Sequence, residues 1–203
     1  MRLGVSPSSV HAWTSDIQLT REQRDAIRRS QAVRQAQAAG NRAMRSQARR
    51  RRLRAQDHGR RLARRQIPLH LTGCMLYWAE GSKRRNDVEF TNSDPDMTRT
   101  FVDFLRRCYG VAPDDVRLTL NVHLDNGLAL SEIEGWWLAR LGLPRSCLGT
   151  HTLNRHSRAS AQTRRSLPRG TARVVVHSTF VVQSIYGAIQ EYAGTERPEW
   201  LDL

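Results

Sequence analysis

The sequence predicts an α+β fold for residues 67–203, reached through a long arginine-rich helical connector. Two observations lead there. The charge is segregated: residues 21–65 hold sixteen arginines against Glu22, Asp25 and Asp57, a net of +13, while the rest of the chain is nearly balanced at +1. From about Ile67 onward, apolar runs alternate with turn signals and show no steady strand–helix–strand rhythm, which favours a mixed sheet over a parallel one.

The elements of that region follow in order. Residues 69–80 are apolar with helical spacing, and a short strand fits 87–91. Asn92-Ser-Asp-Pro95 then marks a turn, with Asp94 as N-cap and Pro95 at the first position of a helix over 95–108. Ala112-Pro-Asp-Asp115 leads into a strand at 115–123. A helix over 129–141 ends near Gly142 and Pro144. Strands at about 150–155 and 172–177 and a closing helix at 179–192 complete the domain. The run Arg173-Val-Val-Val-His-Ser-Thr-Phe-Val-Val-Gln-Ser-Ile-Tyr186 fits a buried strand feeding a core helix.

The connector, residues 21–66, is rich in Ala, Arg, Gln and Glu, all good helix formers, with Gly40 and Gly59 as weak points. It lacks a regular apolar stripe, so the sequence predicts a helix that orders fully only on a partner, or a solvated basic tether.

The formal net charge of +14 calls for a polyanionic partner, nucleic acid or an anionic membrane surface. Lys83 is the only lysine among 33 basic residues, and arginine is the side chain suited to bidentate phosphate contacts. No run of 18 apolar residues or apolar leader core is present, and a cytoplasmic protein without a membrane partner is expected. Cys74, Cys108 and Cys147 are scattered and odd in number, against both a disulfide framework and a zinc finger. No small-molecule substrate is evident.

Leu3-Gly-Val-Ser-Pro-Ser-Ser-Val-His-Ala-Trp13, within residues 1–20, resembles the turn and recognition helix of a bacterial helix-turn-helix. Gly4 suits the turn and Ser6 caps the helix, with Pro7 in its first position. Val5 and Val10 supply apolar contacts and Trp13 packs back. The resemblance implies that Ser8, Ser9 and His11 face a DNA groove. A complete motif needs a supporting helix before Leu3, where this sequence has only Met1 and Arg2. An upstream start, or packing from elsewhere, is expected to supply it.

Leu69-His-Leu-Thr-Gly-Cys-Met-Leu-Tyr-Trp-Ala-Glu-Gly-Ser-Lys83 resembles the LAGLIDADG signature, with Gly73, Ala79, Glu80, Gly81 and Ser82 in matching order. Val88-Glu-Phe-Thr-Asn-Ser-Asp-Pro-Asp96 and a helix through Phe101, Phe104 and Leu105 resemble the family's following strand and helix. The resemblance implies two such helices packed about a twofold axis, hence a homodimer. It also implies Glu80 as the catalytic carboxylate and ligand of Mg²⁺, a hard cation that takes oxygen donors. WhiA-type regulators join such a domain to a helix-turn-helix, in the opposite order, and act by binding DNA.

The expected function is therefore binding of double-stranded DNA, as a regulator or mobile-element factor without a cofactor. The alternatives are a LAGLIDADG-type endonuclease that uses Glu80 with Mg²⁺, and an RNA-binding factor. The phosphate-contacting residues expected on the connector are Arg45, Arg49, Arg50, Arg51, Arg52, Arg54, Arg60, Arg61, Arg64 and Arg65. Lys83, Arg84 and Arg85 are expected to extend this surface, and Arg155, Arg158, Arg164 and Arg165 form a second basic patch in a loop. His151, His156 and His177 have no metal-site spacing and are expected to be surface or satisfied histidines. Trp136 and Trp137, beside Glu132 and Glu134, are expected to be core aromatics.

Overall fold

The computed structural model describes residues 6–123, 127–154 and 167–202. The chain divides into two compact units between Gln47 and Ala48. Among the described residues no helix is long and apolar enough to cross a membrane.

The first unit contains α1 (Pro7–Thr14) and the opening turns of α2 (Arg21–Ala63). Ser6 caps α1 by accepting from the Ser9 amide (3.1 Å), with Pro7 at the first position. Trp13 does not pack back: it is 67% exposed, and Val10 and Ile17 are exposed as well. No apolar partner covers them among the described residues of this unit.

The second unit has mixed α+β architecture. After α2 come α3 (Pro68–Glu80), β1 (Val88–Asn92), α4 (Pro95–Tyr109), β2 (Val116–His123), α5 (Leu130–Leu141), β3 (Thr152–Asn154), β4 (Thr171–Val176) and α6 (Thr179–Ala193). These elements fall within one or two residues of the expected ones at most ends. The local signals act as expected: the Asp94 carboxylate accepts from the amides of Asp96 (2.8 Å) and Met97 (3.1 Å). Gly110 closes α4 with φ +67°, a left-handed conformation that costs glycine nothing.

The sheet runs β1-β4-β2-β3, antiparallel except for the β2–β3 pair. Strict alternation along β2 sends Val116, Leu118, Leu120 and Val122 to the core, and register pairs Leu118 with Val174 and Phe90 with Val174. Aromatic side chains fill the space between this face and the helices. Phe90 stacks on Phe101 at 4.4 Å, and Tyr77 stacks on Phe101 at 5.8 Å. Trp137 is buried with its Nε1 donating to the Arg169 carbonyl (2.9 Å), and Trp136 packs beside it under the Arg169 guanidinium. Both tryptophans belong to the packing, as expected.

The second unit begins at Ala48 and so includes residues 48–66, which composition groups with the connector. The reason is a helix crossing. A methyl group added at Gly59 would lie 1.8 Å from the Ser184 carbonyl oxygen, and one at Gly187 would lie 2.1 Å from the Gln56 carbonyl oxygen. The backbones of α2 and α6 therefore meet at paired glycines. Ala55, Gln56, Gly59 and Ala63 are buried at that contact. The expected weak point in the helix is its closest-packed position. Buried Gln56 donates to Gln183 Oε1 (2.9 Å), and Gln183 Nε2 donates to the carbonyls of Arg85 (3.2 Å) and Trp200 (3.1 Å). Polar groups taken from water at the crossing are thus satisfied.

Candidate nucleic-acid interface

The arginines of α2 and of the turn that follows it, within the second unit, separate into two sets. One set docks the helix. Arg52 Nε donates to the Leu201 carbonyl (2.6 Å) and its guanidinium pairs with Asp202 (3.0 Å). Arg60 makes a two-pronged pair with Glu196, both contacts at 2.9 Å, and Arg64 does the same with Glu191 at 2.8 and 3.2 Å. Hydrogen bonding to Arg64 holds the Glu191 carboxyl below its usual value and raises Arg64 in turn. Arg49 lies 3.8 Å from Asp202. Arg52, Arg60 and Arg64 are expected as phosphate ligands from composition, but they are structural ion pairs with the C-terminal segment.

The other set is open. Arg51, Arg54, Arg61 and Arg65 are exposed and have no carboxylate partner among the described residues. At 3.6 residues per turn, Arg54 and Arg61 fall within roughly 20° of one another, and Arg65 follows in the turn after the helix end. The buried row Ala55, Gln56, Gly59 and Ala63 lies on the opposite side of the helix. Burial lowers the pKa of His58, and the positive charges of Arg61 and Arg65 lower it further. The His58 Nδ1 shares a hydrogen bond with the Ser184 hydroxyl (3.1 Å). In the first unit Arg45 is exposed.

Lys83 is not part of an open surface. Its ammonium donates to the carbonyls of Tyr77 (3.0 Å), Trp78 (3.0 Å) and Gly81 (2.6 Å), closing the C-terminal end of α3. Burial lowers its pKa, while Glu80 opposes that shift. Arg84 pairs with Glu89 (3.2 Å), which also holds Arg173 (2.9 Å), and the Glu89 pKa is lowered mainly by the Arg173 hydrogen bond. Arg85 is exposed. Arg155, Arg158, Arg164, Arg165 and His156 lie outside the described residues. In α1, Ser8 and His11 are exposed, whereas half-buried Ser9 hydrogen-bonds Ser6.

Glu80 is the exposed last residue of α3. Gly73 of the same helix faces α4 of its own chain, where an added methyl would lie 2.1 Å from the Phe104 ring. The close approach that Gly73 permits is thus made within one chain. Among the described residues no three His, Cys, Asp or Glu side chains gather as a metal site. His151 is satisfied internally, accepting from the Leu120 amide at Nδ1 (3.1 Å) and bonding Glu134 at Nε2 (3.1 Å). His177 pairs with Asp87 at 2.8 Å.

Comparison with known protein families, with curated proteins and with solved structures finds no match.

Proposed function

We propose that the chain binds double-stranded DNA by presenting the open arginines of α2 to the phosphate backbone, as a regulator or a mobile-element factor. The carrying observation is the division of one helix into a docked face and an open basic face. Arg52, Arg60 and Arg64 tie α2 to Asp202, Glu196 and Glu191. Arg54 and Arg61 share the other face, Arg65 follows in the turn after it, and none of the three has a carboxylate partner among the described residues. A docked helix holds the open guanidiniums at fixed spacing, so less side-chain and backbone freedom is lost on binding.

Each guanidinium suits a phosphate because its planar fork donates two parallel hydrogen bonds. Neutralising phosphates releases condensed counterions, so affinity falls as salt rises. Contacts of this kind position a protein on duplex without reading bases. Fluorescence anisotropy of a labelled duplex across a salt series tests the proposal. A steep fall in affinity is expected, and a flat response removes the proposal. Equal affinity for duplex RNA would favour an RNA-binding factor instead.

A nuclease built on Glu80 requires further carboxylates from outside the described residues of one chain, such as a second copy. No observation favours it over binding alone.

A further inference from the structure

A cavity of about 510 Å³ lies where the N-terminal end of α6 approaches α2 in the second unit. That volume is in the range of small-ligand sites, roughly 300–1,000 Å³. Ala48 and Ala55 are among its lining residues and are too small to fill it.

Three features of its wall suit one kind of ligand. Phe180, the second residue of α6, is 52% exposed, although the ten residues that follow it are all buried. Its ring is held at 5.1 Å from the His58 ring, tilted by 47°. Arg51 and Arg54 are exposed and have no carboxylate partner among the described residues, unlike Arg52 beside them. Thr179 Oγ1 donates to Asn86 Oδ1 (3.3 Å), which leaves the Asn86 amide nitrogen as a donor at the cavity. The amides of Thr179 and Phe180 are also among those a helix leaves without an internal partner, while Ser178 caps Val181.

An aromatic face, two guanidiniums without a carboxylate partner among the described residues and neutral donors around one small cavity match a phosphorylated heteroaromatic. We infer that this cavity binds a nucleotide, with the base stacked on Phe180 and the phosphate held by Arg51 and Arg54. Aromatic stacking is tolerant of base identity, because every base presents a π-face. The nucleotide has two possible sources, a free mononucleotide or an unpaired nucleotide of a bound strand. The strand form rests on the DNA-binding proposal, and the free form does not.

The test uses the full chain and three probes: a duplex with one unpaired adenine, the same duplex fully paired, and dAMP. The unpaired-base duplex should bind about five- to a hundredfold more tightly than the paired one, the range for stacking one base on an aromatic side chain. Phe180→Ala should erase that preference and leave the paired duplex unaffected. Phe180→Trp should retain it, which separates stacking from a fold defect. The double substitution Arg51→Gln and Arg54→Gln should shrink the ratio of unpaired-base to paired-duplex affinity, since Arg54 also serves the paired duplex, and should weaken dAMP binding.

Competition by dAMP that depends on Phe180 supports the site and shows that it accepts the free nucleotide. Preference without dAMP competition supports the site and assigns it to a strand nucleotide. Equal binding of both duplexes with no dAMP binding overturns the inference, as does a preference that survives Phe180→Ala. Phe180-dependent dAMP binding by a chain that binds neither duplex keeps the nucleotide site and sinks the DNA proposal.

Discussion

One substitution made at two places in α2 should have opposite effects. At Gly40 an added methyl meets nothing within 4 Å, so Gly40→Ala should simply strengthen the helix, by about 1 kcal/mol from propensity. At Gly59 the same methyl lies 1.8 Å from the Ser184 carbonyl oxygen, 2.6 Å from its carbon and 2.9 Å from the Ala188 nitrogen. All three obstacles are backbone, so no rotamer change can relieve the overlap. Overpacking costs about 1–3 kcal/mol. Parting the helices also strains the Gln56–Gln183 hydrogen bond, and a buried polar group left unpaired costs about 1–3 kcal/mol. Against a propensity gain of about 1 kcal/mol, Gly59→Ala should lose about 1–5 kcal/mol. For a domain of this size that lowers Tm by about 2–20 °C. Circular dichroism melts at 222 nm read both variants. Gly40→Ala should raise helicity without lowering Tm. A Gly59→Ala protein with unchanged or raised Tm would show that α2 does not dock on α6, and the separation of the arginines into two sets would fall with it.

Two further outcomes are expected. His70 is fully buried between the hydroxyls of Tyr192 (2.8 Å) and Tyr109 (3.1 Å), and burial lowers its pKa to about 4. A histidine with a depressed folded pKa gives full stability above its unfolded value of 6.5 and loses it as pH falls from there towards 4. Urea midpoints at pH 7 and pH 5 should differ in wild type by more than in His70→Gln, and equal differences refute this. Wild-type protein should show no Mg²⁺-dependent nicking of plasmid, and Glu80→Gln should bind duplex as wild type does. Nicking that Glu80→Gln abolishes would make the chain an endonuclease.

Most of the second unit was legible because its signals are local. Asp94 and Pro95 start α4, Gly142 ends α5, and alternation along 116–122 fixes the inner face of β2. The contacts that organise α2 are not local. Gly59 meets the backbone of Ser184 and Ala188, Gly187 meets that of Gln56, and Arg52, Arg60 and Arg64 meet acids more than 120 residues away. Counting charge treats all these arginines alike, so docking pairs and open ones could not be told apart. Two signals were present: the spacing of residues 52, 56, 60 and 64 at four-residue intervals, and the acids Glu191, Glu196, Glu199 and Asp202 near the end of the sequence. Phe180 was hidden by its setting, an apolar run whose other members are buried. Lys83 read as one more cation, because nothing in sequence shows that its ammonium turns back onto three carbonyls of the preceding helix end.

The central claim is that the open face of α2 holds DNA while the docked face holds the protein together. The direct measurement is the salt dependence of duplex affinity for wild type and for the triple variant Arg54→Gln, Arg61→Gln and Arg65→Gln. Each lost phosphate contact lowers the log–log slope by about 0.9, so three contacts lower it by about 2.7. The variant should keep the wild-type Tm, since none of the three pairs with a carboxylate among the described residues. A slope reduced by that amount at unchanged Tm is the predicted result. A triple variant whose slope equals that of wild type would contradict the account.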